Sequence, residues 1–401
     1  MARLAESLRS RPILLAGITA RMLAEMATRS GYLVTSLDYF GDADLRALCP
    51  GISLARDLSL AYSPANLVQA AAEITAPYVV YNASLENHPD LVQRLAEGRT
   101  LLGNDPETLT AVRNPWRLAE ALRSGGFCFP EIRRVDASAA HLNDGRWLWK
   151  PLKSGGGHAV YQWSGVEQSG EGILQRHLDG LVCSAAFLAN GNRAVLVGLT
   201  EQLIGQKAFG ADGFRYCGNI IPPSLPRAQL EQLLHEMRAI ANHLTDAFDL
   251  RGLNGLDFIW VDGHAWTIEV NPRPTAAMEL MERAYGLRLF DAHVRAFGGE
   301  LPSFDLRDAI REAPAAGKAI LFTTDNITLG NTTSWRNRGL RDIPYPGERI
   351  PAGNPVCTIL ATAASPEACR QKLEQRAIDL KLSFTQGRTS TRPQERQEID
   401  A

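Results

Sequence analysis

Cysteine is sparse in this chain. Its 401 residues hold six, at positions 49, 128, 183, 217, 357 and 369. No two of them form a Cys-x-x-Cys pair, which argues against a disulfide frame and against a zinc site. The eight histidines show no metal-ligand spacing either. An excess of one charge is also missing. The formal net charge is −2, so neither nucleic acid nor an anionic membrane is expected as a partner. Long apolar runs are absent. The N-terminal one reaches only from Pro12 to Ile18 and reads as a strand, so no signal peptide and no bilayer span are expected. These absences together predict a cytoplasmic protein with reduced thiols. A single glycine, Gly17, follows the first strand. Without G-x-G-x-x-G, dinucleotide binding has no support.

What remains is ordinary globular composition, 45% apolar and 21% charged, in a chain long enough for two or three cores. The segment Ile13–Gly17, a helix over Ala20–Ser30 and a strand over Tyr32–Leu37 predict a β-α-β unit and hence a parallel sheet. Tyr78–Asn82 is the next strand. Its exit loop, Ser84–Pro89, either lines a ligand crevice through Glu86 and Asn87 or is a plain cap and turn. Pro106 and Pro115 punctuate a link, and a helix follows over Trp116–Arg123. Strands with short hairpins are expected from Pro130, and helices over Arg227–Leu244 and Ala276–Gly286. A third block, with strands Ala319–Phe322 and Val356–Leu360 and a helix over Pro366–Asp379, reads as a small α/β cap. The polar tail from Gln386 lacks apolar periodicity and is expected to be disordered.

Three stretches carry chemistry. Gly255–Trp260 and Trp266–Asn271 predict a hairpin about the turn Asp262-Gly263. Glu269 and Asn271 are two apart and share a face, and Asp257 lies on the partner strand. Two carboxylates and a carboxamide among buried apolar neighbours suit Mg²⁺; a solvated or ion-paired hairpin is the other reading. Second, the strand Arg146–Pro151 carries Lys150, and Lys153-Ser154-Gly155-Gly156-Gly157 follows before a strand over Ala159–Trp163. The turn is either a phosphate cradle, with Lys150 as point charge, or a flexible loop. Third, Gln175–Gly180, with Asp179, either links two strand groups plainly or offers a purine edge and ribose contacts.

In this order the elements resemble the ATP-grasp superfamily, through Lys150 with its glycine turn, the Gln175–Gly180 linker, and Glu-x-Asn-x-Arg at Glu269, Asn271 and Arg273 following Asp257. Within it the chain is similar to the ATP-dependent carboligases that include tyramine–glutamate ligase of methanofuran biosynthesis, through stretches such as Glu86–Pro89, Leu102–Asn104 and Gly286–Gly299. The resemblance implies an α/β ATP-grasp fold with a pre-grasp parallel-sheet domain over 1–105. The ATP-grasp domain would follow over 106–300, with a lid at about 130–185, then the cap over 301–385 and the tail over 386–401.

The resemblance also implies the cofactors ATP and Mg²⁺, with Mn²⁺ as a substitute. Lys150, Lys153, Ser154, Gly155, Gly156, Gly157, Gln175 and Asp179 would hold the nucleotide. Asp257, Glu269 and Asn271 would hold the metal. Arg273 would grip the acceptor carboxylate, or else form a salt bridge that props up Glu269. Arg113 would replace a lysine that many relatives carry. The expected partners are a small-molecule carboxylate and an amine, with a homodimer as a further expectation. The implied reaction is amide formation through an acyl phosphate, as in a glutamyl ligase. A carboxylase without biotin and a non-catalytic nucleotide-binding regulator are the alternatives. Biotin carboxylation is disfavoured, because Ala277 stands where those enzymes carry a glutamate base and no arginine lies near Thr323. Glu279 and Glu282 read as exposed helix acids, or as attractors of a cationic amine.

Overall fold

The computed structural model describes residues 8–136, 139, 141–166 and 170–386. The tail expected to be disordered, 386–401, lies outside these except for Gln386, which ends the last helix instead.

The first sheet contains β1 (Ile13–Ala16), β2 (Val34–Asp38), β3 (Gly51–Ser53), β4 (Tyr78–Tyr81) and β5 (Thr100–Leu101), all parallel, in the order β3-β2-β1-β4-β5. Every residue of β1 is buried. That follows from its place at the centre of a parallel sheet covered on both faces. Helices α1 (Arg21–Arg29), α2 (Pro64–Ala71) and α3 (Pro89–Leu95) make the crossovers. The strand order reverses between β1 and β4. Loops leaving the two carboxyl ends diverge there and open a crevice.

Two short helices, α4 (Pro106–Val112) and α5 (Pro115–Ser124), link this sheet to the rest. Asp105 caps the first by accepting from the Thr108 amide, and Asn114 caps the second. Proline at the first helical position of each fits, since no amide is needed there.

The stretch expected as a lid contains a four-stranded antiparallel sheet of β6 (Ile132–Arg134), β7 (Trp147–Pro151), β8 (Tyr161–Gln162) and β9 (Gly172–Arg176), ordered β6-β9-β7-β8. Trp147, Trp149, Trp163 and Leu174 form its own core. The strand expected over Ala159–Trp163 shrinks to β8. The glycine turn runs on to Ala159, whose φ of 56° is left-handed and breaks the extended run.

The large sheet has eight antiparallel strands. Its first five are β10 (Leu181–Asn190), β11 (Ala194–Ile204), β12 (Tyr216–Ile221), β13 (Arg251–Val261) and β14 (His264–Asn271). The C-terminal block adds β15 (Ala315–Phe322), β17 (Leu340–Arg341) and β19 (Pro355–Ala363), while β16 (Ile327–Thr328) and β18 (Arg349–Ile350) pair separately. The order is β14-β13-β10-β11-β12-β15-β19-β17. The C-terminal layer is therefore built on the same sheet as β10–β14. Helix α6 (Arg227–Phe248) packs on one side of the sheet. The pair α7 (Met278–Tyr285) and α8 (Leu289–Ala296) joins Phe290, Met278 and Met281 to Leu15, Leu23 and Val80 of the first domain in one core. A short helix, α9 (Leu306–Glu312), precedes β15, and α10 (Pro366–Gln386) covers the far end of the sheet, running past the expected Asp379. No helix among the described residues is long and apolar enough to cross a membrane.

Candidate active site

The β13–β14 hairpin turns at Asp262 and Gly263, both at positive φ (49° and 81°), the conformation a two-residue hairpin with right-handed strand twist requires. The register sets Asp257 directly opposite Glu269 and Gly255 opposite Asn271. A bulge between Asp257 and Phe258 leaves Ile268 as an extra residue, so Ile268 and Glu269 both line the same cavity. Asn271 donates to Asp257 Oδ2 at 2.9 Å and Gln202 on β11 donates to Oδ1 at 2.7 Å. Burial, then the charge of Glu269, pushes Asp257 up to about 8. Glu269 is held below the usual carboxylate range: burial opposes its charge, but Arg113 and then Lys150 outweigh it.

The cavity has a volume of about 470 Å³ and lies at the switch point of the first sheet, lined on one side by β7 and β9 of the four-stranded sheet. Lys150 and Gln175, neighbours across β7 and β9, both face it, and Lys150 Nζ donates to Gln175 Oε1 at 3.1 Å. Burial lowers the lysine's pKa, against the pull of Glu269 and Asp257. Ser154, Gly155, Gly156 and Gly157 line the same space. Gly157 has a φ of 73°, and a Cβ there would stand 1.8 Å from the Phe214 carbonyl oxygen. Only glycine admits that approach. The Tyr216 amide donates to the Gly156 carbonyl at 2.9 Å, which ties the turn to β12.

Three expected nucleotide contacts sit elsewhere. Lys153 is exposed and does not line the cavity. The Asp179 side chain is fully exposed, 3.9 Å from His177 Nδ1, and also outside it. Arg113 donates to Asn87 Oδ1 at 2.8 Å and to the Val270 carbonyl at 3.1 Å, and lies 3.6 Å from Glu269. It props the carboxylate from behind.

Arg273 lines the cavity beside these groups. It donates to the Pro274 carbonyl at 3.1 Å and to Asn271 Oδ1 at 3.2 Å, and its Nε lies 2.7 Å from Glu86 Oε1. The salt bridge considered between Arg273 and Glu269 is thus made with Glu86 instead. The loop after β4 brings Glu86 to Arg273 and Asn87 to Arg113.

Glu279 and Glu282 are buried, at 3% and 1% exposure, which corrects the expectation of exposed helix acids. The side of α7 that carries them faces the first domain, so cations from other elements surround it. Glu279 accepts a bidentate pair from Arg21 (2.6 and 3.0 Å) and a bond from Lys318 at 3.0 Å. Glu282 accepts from the Leu289 amide at 2.8 Å. Arg21 also binds Asp342 at 2.8 Å, and Arg21, Lys318 and Asp342 all line the deep end of the cavity.

Residues 112–277 match the family described as the ATP-grasp domain. This segment is an ATP-grasp domain. Over 92% of its length the chain also superposes on the biotin carboxylase domain of Hydrogenobacter thermophilus 2-oxoglutarate carboxylase, with a TM-score of 0.70, 14% identity and 89% of that chain covered. An L-amino acid ligase from Bacillus licheniformis aligns with a TM-score of 0.65 at 16% identity, covering 92% of this chain and 97% of that one. In sequence, an uncharacterized protein of Methanocaldococcus jannaschii is 22% identical over 370 residues, 87% of either chain. The likeness of fold to these two structures therefore extends beyond the matched segment to nearly the whole molecule, the parallel-sheet domain and the C-terminal α/β layer included.

The ATP-grasp hairpin has the donor chemistry for a hard divalent cation. Asp257, Glu269 and the Asn271 amide oxygen stand at adjacent ladder positions on one face, and oxygen donors of this kind suit Mg²⁺. Asp257 and Glu269 are half-buried and face each other, and the repulsion that helps raise Asp257 is one a cation between them would relieve. Among the described residues no group of three or more His, Cys, Asp and Glu could hold a metal; here the third ligand would be an amide.

Sequence reading missed Gln202, Arg21, Lys318 and Asp342. Gln202 reaches Asp257 across the intervening β10, and Arg21 meets Asp342 over 321 residues. Neither pairing leaves a local pattern. Glu86 carried a signal, a polar loop at the carboxyl end of a parallel strand, equally compatible with a turn.

Proposed function

We propose that the chain is an ATP- and Mg²⁺-dependent carboxylate–amine ligase acting on a small metabolite. The observation that carries this reading is the convergence of Lys150, Asp257, Glu269, Asn271 and Arg273 on one cavity beneath a glycine turn. Phosphoryl transfer depends mainly on positioning and charge neutralisation. Lys150 and the amides of Gly155–Gly157 would hold the phosphates. Asp257, Glu269 and Asn271 would hold Mg²⁺, which supplies charge neutralisation between phosphate oxygens. Arg273 would align a carboxylate with the γ-phosphorus, since its planar fork fits two oxygens at once.

In the first step a carboxylate oxygen forms a bond to that phosphorus and ADP leaves, giving an acyl phosphate. In the second the amine nitrogen bonds to the acyl carbon, the C–O bond to phosphate breaks, and the amine gives up a proton. Ala277, buried where a carboxylase would need its glutamate base, supports amide formation over biotin chemistry. The lining of the deep end by α1 and by the loop after β4 supports a small second substrate there.

The test is ADP release across a panel of carboxylates and amines, glutamate with tyramine included. The expected result is carboxylate-dependent ADP formation with amide product in the wild type. Glu269→Gln should abolish it, because one substitution changes both charge and ligand geometry. No ADP signal on a broad panel, or a Glu269→Gln variant at wild-type rate, would overturn the reading.

A further inference from the structure

Glu86 is a deeply buried acid beside the cavity that the proposed chemistry leaves unused. It is 1% exposed, and its Oε2 has no hydrogen-bond partner among the described residues. Its Oε1 lies 2.7 Å from Arg273 Nε as an ion pair, and that Nε makes no hydrogen bond among the described residues. Among the described residues Arg273 is the ion-pair partner of Glu86, and a buried carboxylate with one such partner holds it strongly.

Arg273 stands between two such demands. On one side is Glu86, on the loop after β4. On the other are Asp257 and Glu269, whose charges Arg273 helps stabilise. Its Nη2 already reaches Asn271 Oδ1 at 3.2 Å, an oxygen the metal would need. With nothing opposing it, the guanidinium would be drawn further onto this face. It would then neutralise the carboxylates that a divalent cation must meet, and turn its fork away from a substrate.

We propose that Glu86 is a positioning residue that holds Arg273 back from the metal-binding face, so that Mg²⁺ and Arg273 occupy separate places. This rests on the ligase reading for the identity of the metal face, but not on turnover. The two predict different things when they fail. The proposal concerns a competition between a cation of the protein and a metal ion, and that competition exists whether or not a carboxylate is ever phosphorylated.

The experiment is calorimetric titration of Mg²⁺ into the protein with saturating ADP, without other substrate. Glu86→Gln, nearly isosteric, should weaken apparent Mg²⁺ affinity about tenfold by releasing Arg273 toward Asp257 and Glu269. Glu86→Asp keeps the charge but shortens the arm, and should give an intermediate loss. The Glu86→Gln/Arg273→Met double variant should recover wild-type affinity or exceed it. A loss caused by local unfolding would not be repaired by removing a second buried group.

Unchanged Mg²⁺ affinity in Glu86→Gln overturns the proposal. So does a loss that the double variant fails to restore. Should Glu86→Gln not fold, the Glu86→Asp variant with and without Arg273→Met reads the same balance. Failure of the ligase reading would show separately, as a wild type that binds Mg²⁺ and ADP but releases no ADP on any carboxylate.

Discussion

Lys150 is a strand residue whose ammonium is surrounded by groups that need it. It faces Gln175 directly and Glu269 and Asp257 electrostatically. Lys150→Ala should therefore weaken ATP binding, and Lys150→Arg should restore little, because a planar fork does not fit the place of a compact ammonium. Nucleotide titration of both variants checks this; wild-type affinity in Lys150→Ala would move the phosphate site elsewhere. The contrast with Lys153 shows what a sequence can and cannot tell at this scale. Both lysines precede the glycine turn, and the pattern puts Lys150 first as the point charge, with Lys153 as a further contact. Strand pairing decides: β7 ends at Pro151, so Lys150 is fixed in the ladder while Lys153 has already left it. Asp179 was misplaced for the same reason. β9 ends at Arg176, and three residues later the chain has turned its side chain to solvent.

At the scale of elements, the glycine turn closes on the chain before β12 at Gly157 alone, since a Cβ at Gly155 or Gly156 would meet open space. Gly157→Ala combines a left-handed φ with a Cβ placed on the Phe214 carbonyl. The turn must move away from β12, so ATP affinity should fall several-fold while the melting temperature changes little. Fluorescent-nucleotide binding and a thermal melt separate the two effects; equal losses in both would mean the turn is structural.

Helix α8 makes a second element-scale prediction. His293 accepts from the Leu253 amide at 2.9 Å through Nδ1, which leaves Nε2 to donate to the Leu102 carbonyl at 3.0 Å. The ring is thus a neutral bridge between the first domain and the large sheet. Burial pushes its pKa down to about 4. The unfolded chain binds a proton below about 6.5 that the folded one refuses, so the stabilisation is full above 6.5 and is lost as pH falls toward 4. By pH 5 the loss should be on the order of 2 kcal/mol. Urea unfolding at pH 7 and pH 5 should show a steeper drop for wild type than for His293→Gln.

Across the whole molecule, Glu279 is where the layers meet. Arg21 comes from the first domain, Lys318 from the C-terminal layer, and Glu279 from the helix between them. Glu279→Gln removes the shared anion and leaves two buried cations poorly matched. A loss of about 3–5 kcal/mol is expected, read as a lower urea midpoint; a change within error would mean water or Asp342 takes over its role. The sequence could not reveal this hub, because its members are 258 and 39 positions away from Glu279. Helical periodicity placed the acid on a surface that the other layers then covered. The architecture itself was more legible. The β-α-β start, the Asp262-Gly263 hairpin and the order of motifs are local signals, and local signals survive without knowledge of packing. What stayed hidden was which layer touches which.

The bulge at Ile268 has one more consequence. Counting by twos from Ala265 through Thr267 arrives at Glu269, so an uninterrupted ladder would send that carboxylate inward with the two buried residues before it. The extra residue changes the phase: Val270 turns inward in its place, and an acid and an apolar neighbour face the cavity side by side. The hairpin therefore has a parity as well as a composition. Substitutions in its outer half leave that parity alone, whereas losing or gaining a single residue between the turn and Glu269 puts it at stake. In the descendants of this chain, length should drift far more slowly there than spelling.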